Sequence, residues 1–507
     1  MGRKNWYSLG ESNPCYRRER PASWTARRRE RLFARRCIIR KLTSVSSVAE
    51  VFLFYSRILF SGDTSVLKSS YKENKIVTPN IIPRSEHNIS RANISENAVK
   101  VLYRLNKAGY QAHLVGGGVR DLLLGHEPKD FDVATDASPE EVRAVFRNCR
   151  LIGRRFRLAH VHFGREIIEV ATFRGMQEDS PPADRDAGNG MLMRDNVYGT
   201  IEEDAIRRDF TVNALYYNVE DFSVIDYTGG LADLESGLLR LLGEPATRYR
   251  EDPVRMLRAV RFAAKLGFRI DAACETPMLE MGALLRSIPA ARLFDEILKL
   301  FMSGTAVQAF EKLRHYNLFA ELFPETDECL AHEEQGFPIT FVVRGLHNTD
   351  LRIREGKPVT PAFLFAVLLW EPVRRLTEQL MESGEIPAIA LQKAGAEVVA
   401  KQITQTSIPK RFSIPMREIW QLQYRLEQRS GKRAKRLLTH PRFRAAYDFL
   451  LLRAEAGEAD MELAQWWTKV QQIQPESENR VINPEGPTAG RRRRRRRRRK
   501  PAEPGES

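Results

Sequence analysis

The sequence predicts an α+β chain in which a small mixed sheet is followed by a long succession of helices. Three observations predict it. Residues 114–132 read LVGGGVRDLLLGHEPKDFD, which is a short apolar strand, three glycines, a helical turn and a second strand. Residues 158–163 and 166–172 read as the two strands of a hairpin turning at Gly164 and Arg165. From Arg250 to about Gly457 the chain reads instead as helices with short connections.

In chain order, residues 1–80 are rich in Arg and Ser, with few periodic apolar positions before the run VFLFYSRILF at 51–60. That run is too short for a membrane span and is broken by Arg57. No small-residue cleavage site flanks it, which argues against a secretory signal. A transit peptide fits the composition. The preferred reading is a disordered basic extension from a start codon assigned too far upstream.

Residues 93–108 carry a helical period, with Val99, Leu102, Tyr103 and Leu105 on one face. Ser138, Pro139 and Glu141 form an N-cap, a first-turn proline and a capping-box glutamate for a helix reaching about Phe146. The polar stretch 176–195 is expected to be a flexible loop. Thr200 and Glu203 form a second capping box, opening a helix that runs into RRDFTVNAL at 207–215. A further hairpin is expected from 216–219 and 223–226, with Gly229 and Gly230 closing the unit. Asp252 and Pro253 supply an N-cap and first-turn pair for RMLRAVRFAAKLGF. Later helices are expected at 291–301, 362–370, 416–427 and 443–456.

The 507 residues suffice for two or more cored domains, and the net charge is +16. That charge sits at the ends. Residues 1–60 carry 14 Lys and Arg against 4 Glu, residues 491–500 are all basic, and the remainder is left near −4. The arginine run should bind polyanions without sequence preference. Basic clusters such as Lys410 with Arg411, and those at 432–436, could line an RNA-guiding groove. Five cysteines without close pairing exclude structural zinc and a disulfide framework, and fit a reducing cytosol.

Asp130 and Asp132 flank Phe131, so strand alternation would set both carboxylates on one side. Two such groups repel unless a cation lies between them, and hard oxygen ligands suit Mg²⁺. Gly116, Gly117 and Gly118 let backbone N–H groups approach an anion, and Arg120 adds positive charge in the same turn. The missing Gly-Lys-Ser/Thr ending excludes a P-loop. The chemistry that needs phosphate and metal together here is nucleotidyl transfer, with two metal ions about 4 Å apart. Glu169, inside an otherwise apolar strand, and Asp209 are both candidates for a further carboxylate. Arg154, Arg155 and Arg157 could clamp phosphates, while Arg255, Arg258 and Arg261 recur every three residues.

Residues 83–456 resemble the class II nucleotidyltransferases, and within them the bacterial poly(A) polymerase I family. The resemblance rests on LVGGGVRDLLLG, KDFDVAT, LIGRRFRLAHV, RRDFTVNALYY and REDPVRMLRAVRFAAKLGF. The first, fourth and fifth are also shared by tRNA CCA-adding enzymes, whereas LIGRRFRLAHV looks specific to the polymerases. It implies a mixed-sheet nucleotidyltransferase head at 81–240 and a helical neck with a nucleotide-base template at 241–303. A helical RNA-binding body at 304–457 and a disordered Arg-rich tail at 458–507 complete it, after the leader at 1–80. By the resemblance Asp130 and Asp132 would hold Mg²⁺, with Asp209 or Glu169 as the additional catalytic carboxylate. Gly116, Gly117, Arg120, Asp121, Arg208 and Asn213 would bind the triphosphate end of ATP. Asp252 and Arg255, with Arg258 and Arg261 on the same helix, would read the adenine. The implied reaction is attack of an RNA 3′-hydroxyl on ATP without a template, releasing pyrophosphate, on mRNA and small RNAs destined for decay. A cytoplasmic monomer without a transmembrane segment is expected. A CCA-adding enzyme, and an RNA-binding protein with a decayed transferase head, are the alternatives.

Overall fold

The computed structural model describes residues 78–153, 157–175, 197–334, 337–338, 340–429 and 431–473. The leader before residue 78, Arg154 and Arg155, the stretch 176–195 and the arginine run therefore lie outside the described residues. Among the described residues, no helix is long and apolar enough to cross a membrane.

Eight strands build the sheet: β1 (Asn80–Ile82), β2 (Ala112–Val115), β3 (Asp132–Thr135), β4 (Cys149–Ile152), β5 (Leu158–Phe163), β6 (Glu166–Thr172), β7 (Leu215–Asn218) and β8 (Val224–Asp226). Their spatial order is β1-β8-β7-β2-β3-β6-β5-β4. Only β3 and β6 run parallel among these neighbours, so the sheet is mixed. Alternation sorts its side chains onto two faces. Ala112, Leu114, Val133, Ala159, Val161, Ile168 and Val170 enter the main core. There they meet Val101, Leu102 and Leu105 of helix Glu96–Lys107 and Val142 of helix Pro139–Val145. Val115, Ala134 and Tyr216 point the other way, into a small cluster with Phe173 and Ala205. Asp132 and Glu169 share that second face by the same alternation.

Both capping boxes are present, with Ser138 against Glu141 and Thr200 against Glu203. The hairpin 158–172 has the bounds expected of it, and β7 and β8 form the second one. Other elements differ. Helix Glu96–Lys107 buries Ala98, Val101, Leu102 and Leu105. Tyr103, expected on that face, is exposed, and its hydroxyl accepts a hydrogen bond from Arg91 at 2.7 Å. The helix capped by Thr200 ends at Ile206, where the stretch 207–215 begins. Arg207 leaves it to donate to the Gly175 carbonyl at 2.9 Å, and Thr211–Asn213 form a separate 3₁₀ turn.

Beyond the sheet, β9 (Leu238–Leu239) pairs in parallel with β10 (Arg269–Ile270), and Glu333–Glu334 pairs with Phe337–Pro338. These small pairings interrupt a region expected to be all-helical. The expected helix 362–370 divides at Leu369 into Pro361–Leu368 and Trp370–Glu382. Pro372, which has no N–H to donate, fits the first turn of the second helix. Helix Lys410–Leu426 starts six residues earlier than expected and carries Pro415 inside it. Phe412, stacked on Phe294 at 5.9 Å, holds that first turn against helix Ala290–Phe301. Helix Met461–Ile473, inside the segment expected to be a disordered tail, buries Leu463, Ala464 and Trp467. Its Trp467 donates to the Leu426 carbonyl at 2.8 Å.

Gly230 opens helix Gly230–Glu235 directly against the 3₁₀ turn that carries Asn213. A Cβ there would lie 2.2 Å from the Thr211 carbonyl oxygen, a backbone atom with no rotamer to yield. Gly230→Ala is expected to destabilise the fold by about 1–3 kcal/mol through overpacking, measured as a lowered midpoint in chemical denaturation.

Candidate active site

Gly116 ends β2 and turns the chain into helix Gly117–Leu123. Its φ of 75° is the left-handed region that a side chain disfavours. A Cβ on Gly116 would lie 3.6 Å from Arg208 Nη1, and one on Gly118 would lie 3.4 Å from the Asp130 carbonyl oxygen. Arg208 and the residue-130 backbone therefore flank the turn from two sides, and it is the backbone angle at Gly116 that calls for glycine. The helix begins two residues earlier than expected and includes two of the glycines.

Of the two aspartates, only Asp132 belongs to a strand, since β3 starts there and Asp130 and Phe131 precede it. The alternation argument therefore does not apply to Asp130. What fixes Asp132 is the parallel ladder, which sets it directly beside Glu169 of β6. Asp132 remains open to solvent on one side, yet protein crowds the rest of it. Loss of hydration, then Glu169, then Asp130 push its carboxyl up to about 6, and Arg208 opposes them. His160, opposite Glu169 in β5, brings Nε2 to 3.5 Å from its carboxylate. Glu169 and Asp130 therefore both act on Asp132 as nearby like charges.

Among the described residues, no three His, Cys, Asp or Glu side chains are already gathered as a metal cage. The donor set nonetheless fits Mg²⁺, which is ordinarily held by one or two carboxylates together with substrate phosphates.

The expected nucleotide-binding residues fall into separate groups. Arg120 is only 2 % exposed, so it braces the turn from within the protein. Its Nε donates to Asp121 Oδ1 at 2.8 Å, its Nη1 to Asn213 Oδ1 at 2.5 Å, and its guanidinium lies 5.3 Å from the Phe262 ring. Asp121 is bound in turn by Lys265 at 3.3 Å, tying helix Gly117–Leu123 to helix Val254–Leu266. Arg208 is held by Asp204 at 2.8 Å and by the Tyr216 hydroxyl at 3.0 Å.

Asp209 turns away from this group. It receives Arg255 at 3.0 Å and Arg258 at 2.9 Å, so those two arginines converge on one carboxylate rather than forming a solvated stripe. Pro253, not the expected Asp252, is the N-cap of helix Val254–Leu266; Asp252 Oδ1 still accepts the Val254 N–H at 3.3 Å, while Oδ2 binds Arg292 at 2.7 Å. Arg255 also donates to Glu251 and to the Arg248 carbonyl, so Asp252 and Arg255 each hold other partners. Arg261 stacks 4.4 Å above Phe262, with its Nε buried and unpartnered. Burial lowers the basicity of its guanidinium, as do the nearby positive charges of Arg258 and Arg120, while Glu296 opposes the shift. Arg157 pairs with Glu140.

Asp204, Tyr216, Arg248 and Lys265 belong to this network and were not singled out in the sequence. Asp204 was detectable as an acid four residues before Arg208 in a capped helix. Tyr216 and Lys265 reach their partners only through tertiary packing. A groove of about 810 Å³, lined by Arg269, Glu275, Lys312 and Tyr316 among others, lies apart from the carboxylates.

Comparison with known proteins matches three family profiles. Residues 112–240 match the poly A polymerase head domain, and residues 267–330 match a "probable RNA and SrmB- binding site of polymerase A". Residues 383–501 match the polymerase A arginine-rich C-terminus. The chain is 52% identical to poly(A) polymerase I of Salmonella typhi over 82% of its own length and 91% of the relative's. Against poly(A) polymerase I of Haemophilus influenzae it is 47% identical, over 80% and 90% of the two chains. A CC-adding tRNA nucleotidyltransferase of Halalkalibacterium halodurans is 33% identical, over 52% and 58%. With the carboxylates, the glycine turn and the arginine-rich helix carried in one match of this length, the chain belongs to the poly(A) polymerase I family of nucleotidyltransferases.

Proposed function

We propose that the chain extends RNA 3′ ends with AMP taken from ATP, without a template and with Mg²⁺ held by Asp130 and Asp132. The observation that carries this reading is the register of Asp132 against Glu169 beside a glycine turn flanked by Arg208. The RNA 3′-oxygen forms a bond to the α-phosphorus, the bond from that phosphorus to the bridging oxygen breaks, and pyrophosphate leaves. Bound Mg²⁺ would supply Lewis-acid stabilisation of the hydroxyl and of the leaving oxygens. The backbone N–H of Gly117 and the outward edge of Arg208 receive the phosphates, while the Gly116 N–H is held by the Leu215 carbonyl at 3.4 Å. Arg120, buried and already paired, sets the angle of that turn instead of touching substrate. The buried, unpartnered Nε atoms of Arg258 and Arg261 supply further positive potential from the neighbouring helix.

Glu169 is the additional carboxylate of the metal site, and Asp209 acts by orienting Arg255 and Arg258 toward the base. Two features support that division: Glu169 acts electrostatically on Asp132, and both arginines close on Asp209. RNA reaches the site from the helical region, where residues 267–330 match the RNA-binding profile and the groove lined by Arg269 and Lys312 lies. The C-terminal arginine run adds non-specific affinity, and the compartment is the cytoplasm.

Incubated with a generic RNA, Mg²⁺ and each nucleotide in turn, the protein is expected to lengthen the RNA with ATP. Asp130→Ala and Asp132→Ala should each lower that rate on the order of 10²-fold or more, leaving RNA affinity nearly unchanged. Preferential CTP addition to tRNA ends would instead identify a CCA-type enzyme.

Glu169→Gln is expected to lower kcat and raise the Mg²⁺ concentration needed for half-maximal rate. Asp209→Asn should chiefly raise the KM for ATP and relax discrimination against GTP. Exchanged signatures would reverse the two assignments.

Deleting residues 491–500 should weaken RNA binding and flatten the plot of log affinity against log salt, at up to about 0.7 in slope per lost phosphate contact on single strands. The single-turnover rate at saturating RNA should stay the same.

A further inference from the structure

We propose that Tyr216 and Asp204 are positioning residues for phosphate recognition, locking one edge of the Arg208 guanidinium so that its other edge faces the glycine turn. The proposal rests on the reading of Arg208 as a phosphate contact. Arg208 Nε donates to Asp204 Oδ2 at 3.1 Å and to the Tyr216 hydroxyl at 3.0 Å, and Nη2 donates to the same Asp204 oxygen at 2.8 Å. The Tyr216 hydroxyl donates to that oxygen at 2.7 Å, which closes a three-membered network. Among the described residues Nη1 takes no part in it. Nη1 is the atom that a Cβ on Gly116 would meet at 3.6 Å.

The support comes from three different elements. Asp204 lies in helix Ile201–Ile206, one turn before Arg208, and its Oδ1 accepts the Arg174 N–H at 3.3 Å just beyond β6. Tyr216 lies in β7, in register with Val115, the residue before Gly116. Its ring is fully buried in the cluster with Val115, Ala134, Phe173 and Ala205, and the guanidinium sits 5.3 Å from it. A long side chain free at its tip would sample many rotamers before meeting an anion. Here the strand that delivers the glycine turn also delivers the neighbour of the group that fixes the arginine, so turn and cation are aligned before substrate arrives. A ring buried only for packing would need no hydroxyl at all, since phenylalanine would fill the same space.

Tyr216→Phe tests this, because it keeps the ring and removes only the hydroxyl. In the full-length protein, competitive inhibition by pyrophosphate is expected to weaken about three- to tenfold, and the KM for ATP to rise by a similar factor. Inhibition by adenosine and the melting temperature should hold. Asp204→Asn, which removes the charge, should weaken pyrophosphate binding further. In an Arg208→Ala background neither substitution should add to the loss, as expected of groups acting through one side chain. If Arg208→Ala weakens pyrophosphate binding and Tyr216→Phe does not, the positioning role is overturned. Equal losses for adenosine and pyrophosphate in Tyr216→Phe would also overturn it, in favour of simple packing. If Arg208→Ala itself leaves pyrophosphate affinity unchanged, the phosphate reading of Arg208 fails and the proposal with it.

Discussion

The parallel register of β3 on β6 is the constraint to which the rest of the site responds. It places Asp132 and Glu169 side by side on the sheet face turned away from the main core, and Asp130 stands close enough to add its charge. A slip of one residue would bring Ile168 or Val170 opposite Asp132 and send Glu169 into the core. The apolar residues on either side of Glu169 are therefore what hold it in place. Loss of hydration, and then the neighbouring carboxylates Glu169 and Asp130, raise the proton affinity of Asp132. Arg208 opposes that rise from across the turn.

Cationic side chains around this centre do different work according to what already binds them. Arg120 is enclosed and saturated by Asp121, Asn213 and the Phe262 ring, so it acts as a brace between the glycine turn and helix Val254–Leu266. Arg255 and Arg258 share Asp209, and among the described residues Arg258 and Arg261 each keep a buried Nε without a partner. A helix whose arginines recur every third residue could equally be a solvated face. Convergence on one carboxylate from a different segment is what sets this helix apart.

Much of the architecture was legible because it was written in local chemistry. Ser138 with Glu141 and Thr200 with Glu203 fix two helix starts by bonds within four residues. The strand–glycine–helix–strand unit and the 158–172 hairpin announce themselves by turn residues and alternation. What was not legible depends on partners far away in sequence. The end of the helix at Ile206 is set by Arg207 reaching Gly175, and the early start of helix Lys410–Leu426 by Phe412 packing on Phe294. In the candidate site, the Asp-x-Asp spacing suggested two carboxylates on one side of a strand, whereas Asp130 precedes the strand that would have justified its orientation. Glu169 and Asp209 were indistinguishable by composition. Only the sheet register and the position of helix Val254–Leu266 separate them.

The apolar interior is divided unevenly. One continuous core runs from the sheet through the helices to Phe449 and Leu452, while Leu426, Tyr447, Leu450 and Trp467 belong to a second, smaller one. Helices Lys410–Leu426 and Phe443–Glu455 contribute to both, like axles shared by two wheels of different size. The smaller wheel includes helix Met461–Ile473, and the polycationic stretch begins eighteen residues further along the sequence. A load on the smaller wheel would therefore pass to the main core through those two shared rods.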